Sequence, residues 1–558
     1  MLRPLFVFRR GLLDYPCHQA HKFVSVPLLG KEKTLMSEFE LTYGTMFDPP
    51  EELHTRFERA LEEVSSTMGH EHPLVIDGEE RYTAEKFTSN SPIDKNLVLG
   101  TFQKGTAQDA ADAVAAARRA FPEWRDTPWK ERVKIIRRAA DLIEERVFTL
   151  AAMTSLEVGK NRMEALGDVA EAPALLRYAC DEMERSQGYV MQMGQDPLPG
   201  YTATNISTLK PYGVWLVISP FNFPAALTGG PTGAALVAGN TVVMKPASDT
   251  PWIIRLLYDC FAEAGLPDGA LNYLTGSGNV LGSALVENPD LDGLTFTGSY
   301  DVGMGIFRQF ARGKYIRPAI LELGGKNPAV VSRNADVERA ALGIVRSAFG
   351  LQGQKCSACS RVYVEDPLYD KVVNCVIELT NELVIGDPTD RSVYLGPVIN
   401  APAQVKFQRY TAELQKSGTI LTGGEILREG ALEEGYFCQP TVVADVPFAH
   451  PLWKEEMFLP ITMVQRVSSL DDAMRYANDV DYGLTAGFYG SLEEAQWFFN
   501  NIQAGVNYAN RPQGATTGAW PGYQPFGGWK ASGTSGKNAG GRHYLQLYMH
   551  EQVHTLIE

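Results

Sequence analysis

Apolar residues recur with the period of a helix from about residue 107 to residue 150, in the stretch AQDAADAVAAARRAFPEW…ERVKIIRRAADLIEERV. From about residue 213 the pattern changes to short apolar runs, typical of buried strands, which alternate with helical stretches. These runs are GVWLVIS, NTVVMKP, LNYLTG and DGLTFTGS. Strands that alternate with helices in this way predict βαβ units on a parallel sheet.

A second stretch with the same rhythm begins at PAVVS (328–332) and SRVYVE (360–365) and continues to about residue 505. Glycine and aromatic residues then crowd the segment 511–541. The chain ends in LQLYMHEQVHTLIE, which predicts a final strand. The whole pattern therefore predicts an α/β fold with two parallel-sheet regions and a short β element at the end.

Length and composition narrow the class of protein. A chain of 558 residues is too long for one hydrophobic core, so two or three domains are expected. Hydrophobic residues make up 44% of the chain and charged residues 21%, which is typical of a soluble globular protein. The net charge of −15 argues against sequence-independent binding to nucleic acid or to an anionic membrane. We therefore expect a small-molecule ligand, no nucleic acid and no membrane as partners.

The cysteines and the first residues bear on the compartment. Seven cysteines in so long a chain do not form a disulfide framework, which favours a reducing, cytoplasmic setting. Residues 1–35 are basic and contain a short apolar stretch, but they lack a long apolar region and a small-residue cleavage site. We interpret them as a leader or extension before Met36. The alternative is an import signal, which would place the protein in the mitochondrial matrix.

The segment GLQGQKCSACSRVYV (350–364) contains the first candidate for chemistry. Cys356 follows a glycine-rich loop and a lysine, a setting that can expose a thiol and lower its pKa. A purely structural cysteine is one alternative. Another is a redox couple, or half of a zinc site, formed with Cys359; zinc needs two more ligands, and the sequence has no second CxxC pair. This segment alone leaves these alternatives open.

Two further segments carry polar residues in unusual settings. LELGGKNPAVV (321–331) places Glu322 at the end of an apolar run, where a carboxyl group with a raised pKa can act as a general base. VISPFNFPAAL (217–227) places Asn222 between two phenylalanines, where a rigid amide can donate to a developing oxyanion. A capping or salt-bridged glutamate and a turn asparagine are the simpler alternatives.

The order of several motifs identifies a family. PFNFP, FTGS (296–299), ELGGKNP, GQKCSACSR, EEMFLP (455–460), YGLTAG (482–487) and PFGGWKASG (525–533) follow one another as in the aldehyde dehydrogenase superfamily. The spacing of 34 residues from Glu322 to Cys356 is also similar to that family. The resemblance covers about residues 70–550, nearly the whole chain.

The resemblance implies the aldehyde dehydrogenase fold and a homodimer or higher homo-oligomer. The expected parts are the leader (1–35), a Rossmann-like NAD(P)-binding domain (36–197 and 213–322), an α/β catalytic domain (323–505), and oligomerisation strands with the substrate-anchor and C-terminal segment (198–212 and 506–558).

The resemblance also implies the chemistry. Cys356 attacks the aldehyde carbon, the Asn222 amide and the Cys356 backbone N–H hold the oxyanion, and Glu322 activates the water that hydrolyses the thioester. A cysteine, glutamate and asparagine set of this kind disfavours a silent scaffolding subunit. Glu322 disfavours a CoA-acylating enzyme, because relatives that use CoA usually lack this glutamate.

The cofactor expected from the resemblance is NAD, although the sequence lacks the G-x-G-x-x-G motif before a helix. The family instead places FTGS at a helix N-terminus beside the diphosphate. The residues expected to contact the cofactor are Ser219, Lys245, Ser248, Gly298, Ser299, Glu456 and Phe458. Ser248 stands where many NAD-preferring relatives carry a glutamate, so we predict that NADP is also accepted.

Within the superfamily, the chain most resembles the branch that oxidises L-glutamate γ-semialdehyde, formed from 1-pyrroline-5-carboxylate, in the second step of proline degradation. Its anchor loop, TGAWPGYQPFGG (517–528), matches that branch without a gap. The segment between Asn510–Arg511 and Thr517 is about three residues longer than in relatives, and Leu459 stands where glycine is usual. The expected substrate contacts are Ser357, Gly518, Ala519 and Phe526, with Phe223 as a neighbour.

The alternative substrate is another semialdehyde, such as succinate semialdehyde, or an aliphatic aldehyde. The resemblance also suggests proline dehydrogenase as a partner to which this protein is functionally coupled.

Overall fold

The computed structural model describes residues 41–47 and 49–558, so the leader and Met36 lie outside the described residues. The first part of the described chain contains five helices, α1 to α5, and seven short strands. The elements are α1 (Glu51–Ser65), β1 (Glu71–His72), β2 (Leu74–Ile76), β3 (Glu79–Arg81), β4 (Lys86–Asn90), β5 (Val98–Gln103), α2 (Ala107–Asp126), α3 (Trp129–Glu145), α4 (Val147–Val158), α5 (Arg162–Arg185), β6 (Val190–Gln192) and β7 (Ala203–Pro211).

The helical stretch predicted at 107–150 is confirmed and consists of three helices, the last of which continues to Val158. The α2 helix begins in a capping box, because the Thr106 hydroxyl accepts from the Asp109 N–H while the Asp109 carboxylate accepts from the Thr106 N–H. It ends at Asp126, because Thr127 precedes Pro128 and takes extended backbone angles.

The first α/β region follows directly. Its elements are β8 (Val214–Ile218), α6 (Pro224–Ala238), β9 (Thr241–Lys245), α7 (Pro251–Glu263), β10 (Leu271–Tyr273), α8 (Ser283–Glu287), β11 (Gly293–Thr297), α9 (Tyr300–Phe310) and β12 (Ala319–Glu322). The strands form a seven-stranded sheet in the order β12-β11-β8-β9-β10-β2-β3. The strands from β12 to β10 are parallel, and β2 and β3 extend the edge in antiparallel pairing.

The second α/β region and the C-terminal segment contain the remaining elements. They are β13 (Asn327–Val331), α10 (Val337–Phe349), β14 (Cys359–Glu365), α11 (Tyr369–Asn381), α12 (Ala401–Ser417), β15 (Thr419–Thr422), β16 (Thr441–Ala444), β17 (Ile461–Val467), α13 (Leu470–Asn478), β18 (Tyr482–Gly483), β19 (Thr485–Tyr489), α14 (Leu492–Asn501), β20 (Val506–Ala509), β21 (Trp529–Lys530) and β22 (Met549–Ile557).

The second sheet has the order β15-β16-β17-β14-β13-β19-β20 and is parallel except at β15. Two apolar clusters contain residues of this sheet and of the helices packed on it. The predicted final strand is confirmed from Met549 onwards, while Leu545–Tyr548 before it form a 3₁₀ turn. In a third sheet, β22 pairs antiparallel with β7, and β7 with β6. In the described part of the chain, no helix is both long and apolar enough to cross a membrane.

Candidate active site

Cys356 lies in a turn between α10 and β14 whose backbone is held in an unusual conformation. The preceding Leu351, Gln352 and Gly353 have φ values of +48°, +54° and +67°. A left-handed backbone at two non-glycine residues in succession is strained and persists only where the surroundings hold it. The Gln352 side chain donates to the Gly159 carbonyl at 2.8 Å. A Cβ at position 353 would overlap the carbonyl oxygen of Leu459, so this approach requires glycine.

The peptide after Cys356 is clamped by Asn327, the first residue of β13. The Asn327 Nδ2 donates to the carbonyl oxygens of Cys356 at 2.7 Å and of Ala358 at 2.9 Å. Its Oδ1 accepts from the Thr485 N–H at 3.0 Å. A Cβ on Gly325 would overlap the Cys356 carbonyl oxygen, so the glycine pair after Glu322 lets the two segments approach closely.

The two cysteines of the CxxC pair have different settings. Cys356 is partly accessible, as predicted, but burial together with the Glu456 and Glu322 carboxyls raises the pKa of its thiol to about 12 instead of lowering it. Backbone N–H groups oppose this shift. Cys359 is 1% exposed in β14, and its thiol donates to the Arg361 carbonyl oxygen at 3.7 Å. Only the first thiol therefore faces a cavity that can admit a substrate.

Glu322 ends β12 and lines a largely apolar cavity together with Cys356, Thr297 and Phe526. Burial raises the pKa of the Glu322 carboxyl to about 8. Its Oε2 forms no hydrogen bond to any described residue. A carboxyl with a buried, unpaired oxygen in the same cavity as a thiol fits a general base better than a capping or salt-bridged glutamate.

Asn222 lies in the bend between β8 and α6 and is 3% exposed. The next residue, Phe223, lines a second cavity with Cys356, but Asn222 itself lines neither cavity. The structure thus brings Glu322 and Cys356 to the first cavity, and it places Asn222 one residue from Phe223 in the wall of the second cavity, which Cys356 also lines.

The second cavity unites the residues expected to bind the substrate. It is lined by Cys356, Ser357, Gly518, Ala519 and Phe526, together with Phe223. The Thr516 hydroxyl donates to the Ser357 carbonyl at 2.6 Å, which ties the chain before the anchor loop to the turn of the nucleophile. These segments are more than 150 residues apart in the chain and meet beside one thiol.

The residues expected to bind the cofactor lie along the carboxyl edge of the first sheet. Its strand order reverses between β8 and β11, and ligands of such sheets bind at this point of reversal. Ser219 directly follows β8, and its buried Oγ forms no hydrogen bond to a described residue. Gly298 directly follows β11. The two residues flank the place where a dinucleotide would lie.

The other expected cofactor residues extend this edge. Lys245 ends β9, and burial lowers the pKa of its ammonium group to about 8. Ser248 lies exposed in the loop before α7. Ser299 is the exposed N-cap of α9 and makes no capping bond, so the first N–H groups of this helix are open to an anion.

Glu456 and Phe458 lie on the opposite side of the site, in the second α/β region. The Glu456 Oε1 accepts from the Gly325 N–H at 2.7 Å, and burial raises the pKa of its carboxyl to about 7. Phe458 has a φ of +57° and packs edge-to-face against Phe221, with 5.9 Å between the ring centroids. Glu456 also lies close enough to Cys356 for its carboxyl to raise the pKa of the Cys356 thiol.

The sequence did not reveal several residues that shape the site. Asn327 stands inside a recognised motif, yet its clamp on the nucleophile depends on the fold. Lys355 and Glu164 line the second cavity and form an ion pair with 2.5 Å between Nζ and Oε1. Lys355 directly precedes Cys356, which is a local signal, whereas Glu164 lies in α5 without one.

Comparison with known proteins places the chain in a family. The model of the aldehyde dehydrogenase family matches residues 80–553. A 1-pyrroline-5-carboxylate dehydrogenase of Geobacillus sp. (strain WCH70) is 41% identical over 510 residues, which cover 90% of this chain and 96% of that protein.

Solved structures agree. A 1-pyrroline-5-carboxylate dehydrogenase from Thermus with bound NAD superposes with a TM-score of 0.87 at 35% identity, covering 94% of this chain and 100% of that one. Proline utilization A from Bdellovibrio bacteriovorus superposes with a TM-score of 0.85 at 34% identity, covering 90% of this chain and 51% of that one. The chain belongs to the aldehyde dehydrogenase family.

Proposed function

We propose that the protein oxidises L-glutamate γ-semialdehyde, formed from 1-pyrroline-5-carboxylate, to L-glutamate with NAD, the second step of proline degradation. The observation that carries this proposal is the second cavity, which joins the Cys356 thiol to the Gly518–Ala519 segment of the anchor loop. Similarity to proteins named 1-pyrroline-5-carboxylate dehydrogenase supports the same substrate.

The recognition of this substrate follows from its charges. Glutamate semialdehyde has an α-carboxylate at the end opposite its aldehyde, and a protein with a net charge of −15 needs a local site to hold it. The backbone N–H groups of Gly518 and Ala519 and the Ser357 hydroxyl are neutral donors for that carboxylate. Phe526 and Phe223 cover the short aliphatic part, because both rings line the cavity.

The cofactor site fits a dinucleotide on three observations. The buried Ser219 Oγ lacks a partner among the described residues, the α9 N-terminus is open, and both lie at the reversal point of the sheet. NAD, when bound there, accepts the hydride that leaves the substrate carbon. Lys245 and Ser248 would hold the adenosine ribose, with Glu456 and Phe458 at the nicotinamide ribose and ring.

The chain's own residues account for the covalent steps. The Cys356 thiol loses its proton to solvent, and its thiolate attacks the aldehyde carbon, which gives a thiohemiacetal whose oxyanion accepts from the Asn222 amide and the Cys356 N–H. Loss of hydride from that carbon leaves a thioester on Cys356. The Glu322 carboxylate then takes a proton from water, which attacks the thioester to release the acid and restore the thiol.

A substrate panel tests the proposal. We expect kcat/KM for propanal and butanal to be at least about 100-fold lower than for glutamate semialdehyde, because a site built to hydrogen-bond a group strongly rejects analogues that lack it. Each substrate is assayed with NAD and with NADP, and NADP should also be accepted because Ser248 is neutral. Equal efficiency for propanal and glutamate semialdehyde would leave an aldehyde dehydrogenase of another specificity.

Glu322 gives a prediction about pH. A carboxyl with a pKa of about 8 becomes a base only as the pH rises through that value, so thioester hydrolysis should accelerate between about pH 7 and 9. Glu322→Gln should keep a burst of NADH, lose this pH dependence, and accumulate acyl-enzyme that mass spectrometry detects. Absence of acyl-enzyme in the variant, or an unchanged pH dependence, would assign the base role to another group.

We propose the same division of the chain as above: the first sheet with the helices around it binds the cofactor, the second α/β region contributes Cys356, and the third sheet joins subunits.

Strand β22 forms an edge of the third sheet, and its residues from His550 to Ile557 are exposed. Met191 and Val553 in this sheet expose 62% and 61% of their surface. An edge strand of nine residues, exposed except at Met549, favours pairing with a second copy, in a homodimer or larger assembly.

The proposal extends to the protein's context. The relatives named above come from bacteria, which supports a cytoplasmic setting and gives no support to the mitochondrial alternative. Because proline utilization A matches this chain along 51% of its length, a functional coupling to proline dehydrogenase is a further part of the proposal.

A further inference from the structure

Arg511 contacts the anchor loop from outside the substrate cavity. Its Nη1 donates to the carbonyl oxygen of Thr517, and its Nη2 lies 3.5 Å from the carbonyl oxygen of Gly518. The guanidinium carbon lies 5.2 Å from the centroid of the Tyr508 ring. The cavity is lined by Thr517, Gly518 and Ala519 but not by Arg511.

These two carbonyl groups share peptide units with the two N–H groups of the proposed anchor. The Thr517 carbonyl and the Gly518 N–H belong to one peptide, and the Gly518 carbonyl and the Ala519 N–H to the next. The described residues contain no cis peptide bond, and in a trans peptide the C=O and N–H point in opposite directions. Holding both carbonyls towards Arg511 therefore turns both N–H groups away from it, and neither donates to a described residue.

The close approach of Arg511 to the loop requires glycine at position 518. Gly518 has a φ of +119°, which side chains rarely allow. A Cβ there would also overlap the Arg511 Nη1 and the rest of the guanidinium. The glycine of the T-G-A motif thus lets the guanidinium reach two successive carbonyls.

The backbone that carries Arg511 is itself fixed. The Asn510 Oδ1 accepts from the Gly490 N–H at 3.0 Å, and its Nδ2 donates to the Gly490 carbonyl at 2.9 Å. The Tyr489 hydroxyl donates to the Arg511 carbonyl at 2.7 Å. Arg511 is therefore held by the end of β19 and its following turn, independently of the loop it contacts.

The segment between Arg511 and Thr517 is held on α10. The Ala515 N–H donates to the Gly343 carbonyl at 2.9 Å, and the Thr516 N–H donates to the Ser347 hydroxyl at 3.0 Å. The segment from Arg511 to Thr517 is thus fixed at both ends. It reverses the direction of the chain, so that the Arg511 guanidinium contacts the carbonyls of Thr517 and Gly518.

We propose that Arg511 is a positioning residue that orients and polarises the Gly518 and Ala519 N–H groups for a carboxylate of the substrate. This inference rests on the proposed function. A cationic donor on the carbonyl of a peptide strengthens the N–H of the same peptide as a donor, because hydrogen bonds in a chain polarise one another. The positive charge of Arg511 acts through the loop, without forming an ion pair with the substrate.

A pair of aldehydes isolates the role of the carboxylate. Glutarate semialdehyde carries its carboxylate at the same distance from the aldehyde as glutamate semialdehyde does, and pentanal has the same chain length without it. In Arg511→Met we expect KM for glutarate semialdehyde to rise at least about 30-fold. The loss of kcat/KM with pentanal should be at least about tenfold smaller than that with glutarate semialdehyde. Arg511→Lys, which keeps the charge and a donor, should recover part of the loss.

The matched control is Arg339→Met on α10, an arginine whose side chain is 49% exposed and lies outside the site. It should leave kcat/KM for both aldehydes within about threefold. Equal losses for both aldehydes in Arg511→Met would mean that Arg511 only supports the fold, and would overturn the inference. A variant that still favours glutarate semialdehyde as strongly as the unmutated enzyme does would overturn it as well.

The unmutated enzyme separates this inference from the proposed function. If it does not distinguish glutarate semialdehyde from pentanal, the carboxylate site fails and both ideas fall. A crystal structure of the unmutated enzyme with L-glutamate gives a test that needs no variant. We expect a carboxylate oxygen about 2.9 Å from both the Gly518 and the Ala519 nitrogen atoms. A carboxylate bound elsewhere in the cavity would overturn the role of Arg511.

Discussion

Cys356→Ala is expected to abolish aldehyde oxidation, with kcat/KM at least about 10⁴-fold lower, whereas Cys359→Ala should keep most of the activity. The two variants should differ because only Cys356 lies where a substrate can bind. Cys356 lines both cavities of the site, together with Glu322 in one and the anchor loop in the other. Cys359 is buried in β14 with its thiol on a backbone carbonyl, so its removal deletes packing and no reacting atom.

The measurement is NADH formation with glutamate semialdehyde, followed by mass spectrometry for a covalent acyl group. Both variants should melt cooperatively, and Cys359→Ala should show the lower midpoint because a small cavity replaces a buried sulfur. An inactive Cys359→Ala beside an active Cys356→Ala would reverse the assignment of the nucleophile. Full activity in both would exclude thioester chemistry.

The alternation of buried strands and helices was enough to predict the central strands of both large sheets. GVWLVIS and NTVVMKP contain β8 and β9 with one residue to spare at each end, because a buried run is bounded by polar residues and turns. The first helix of the stretch 107–150 ends before Thr127, and the local signal for this end is the proline that follows Thr127. The helical period of the apolar residues alone does not show this end.

Pairings between distant segments had no such local signal. Strands β2 and β3 complete the first sheet although almost 200 residues separate Val75 from its partner Tyr273. The same holds for β7 and β22, where Ser207 pairs with Val553. Such register depends on which surfaces remain uncovered after the helices pack, and that is a property of the fold and not of either segment.

The motifs predicted the main parts of the site, and the fold supplied what supports them. Cys356 and Glu322 were candidates from their settings and received their roles from the family resemblance, and the structure brings them to one cavity. The clamp of Asn327 on the Cys356 carbonyl and the contact of Arg511 with the anchor loop depend on where a backbone carbonyl points. Side chains that bind backbone atoms leave almost no trace in a single sequence, because any residue supplies the acceptor.

Asn222→Ala is expected to lower kcat by about 10²–10³-fold, with a smaller effect on KM. Asn222 is 3% exposed at the end of the bend that leads into α6, and its neighbour Phe223 lines the cavity of Cys356. A donor held there stabilises charge that exists only after the thiol has attacked, so its loss should appear in turnover and not in substrate binding.

A second buried asparagine provides the matched control. Asn240 accepts from the Gly213 N–H at 2.9 Å and donates to the Tyr548 carbonyl at 2.9 Å, and it lines neither cavity of the site. Asn240→Ala should therefore lower the free energy of unfolding by about 1–3 kcal/mol while the folded enzyme keeps its kcat. Asn222→Ala should show the opposite pattern, a small change in the melting midpoint and a large change in kcat. If its kcat falls by less than about threefold, the oxyanion must be held by backbone N–H groups alone, beginning with that of Cys356.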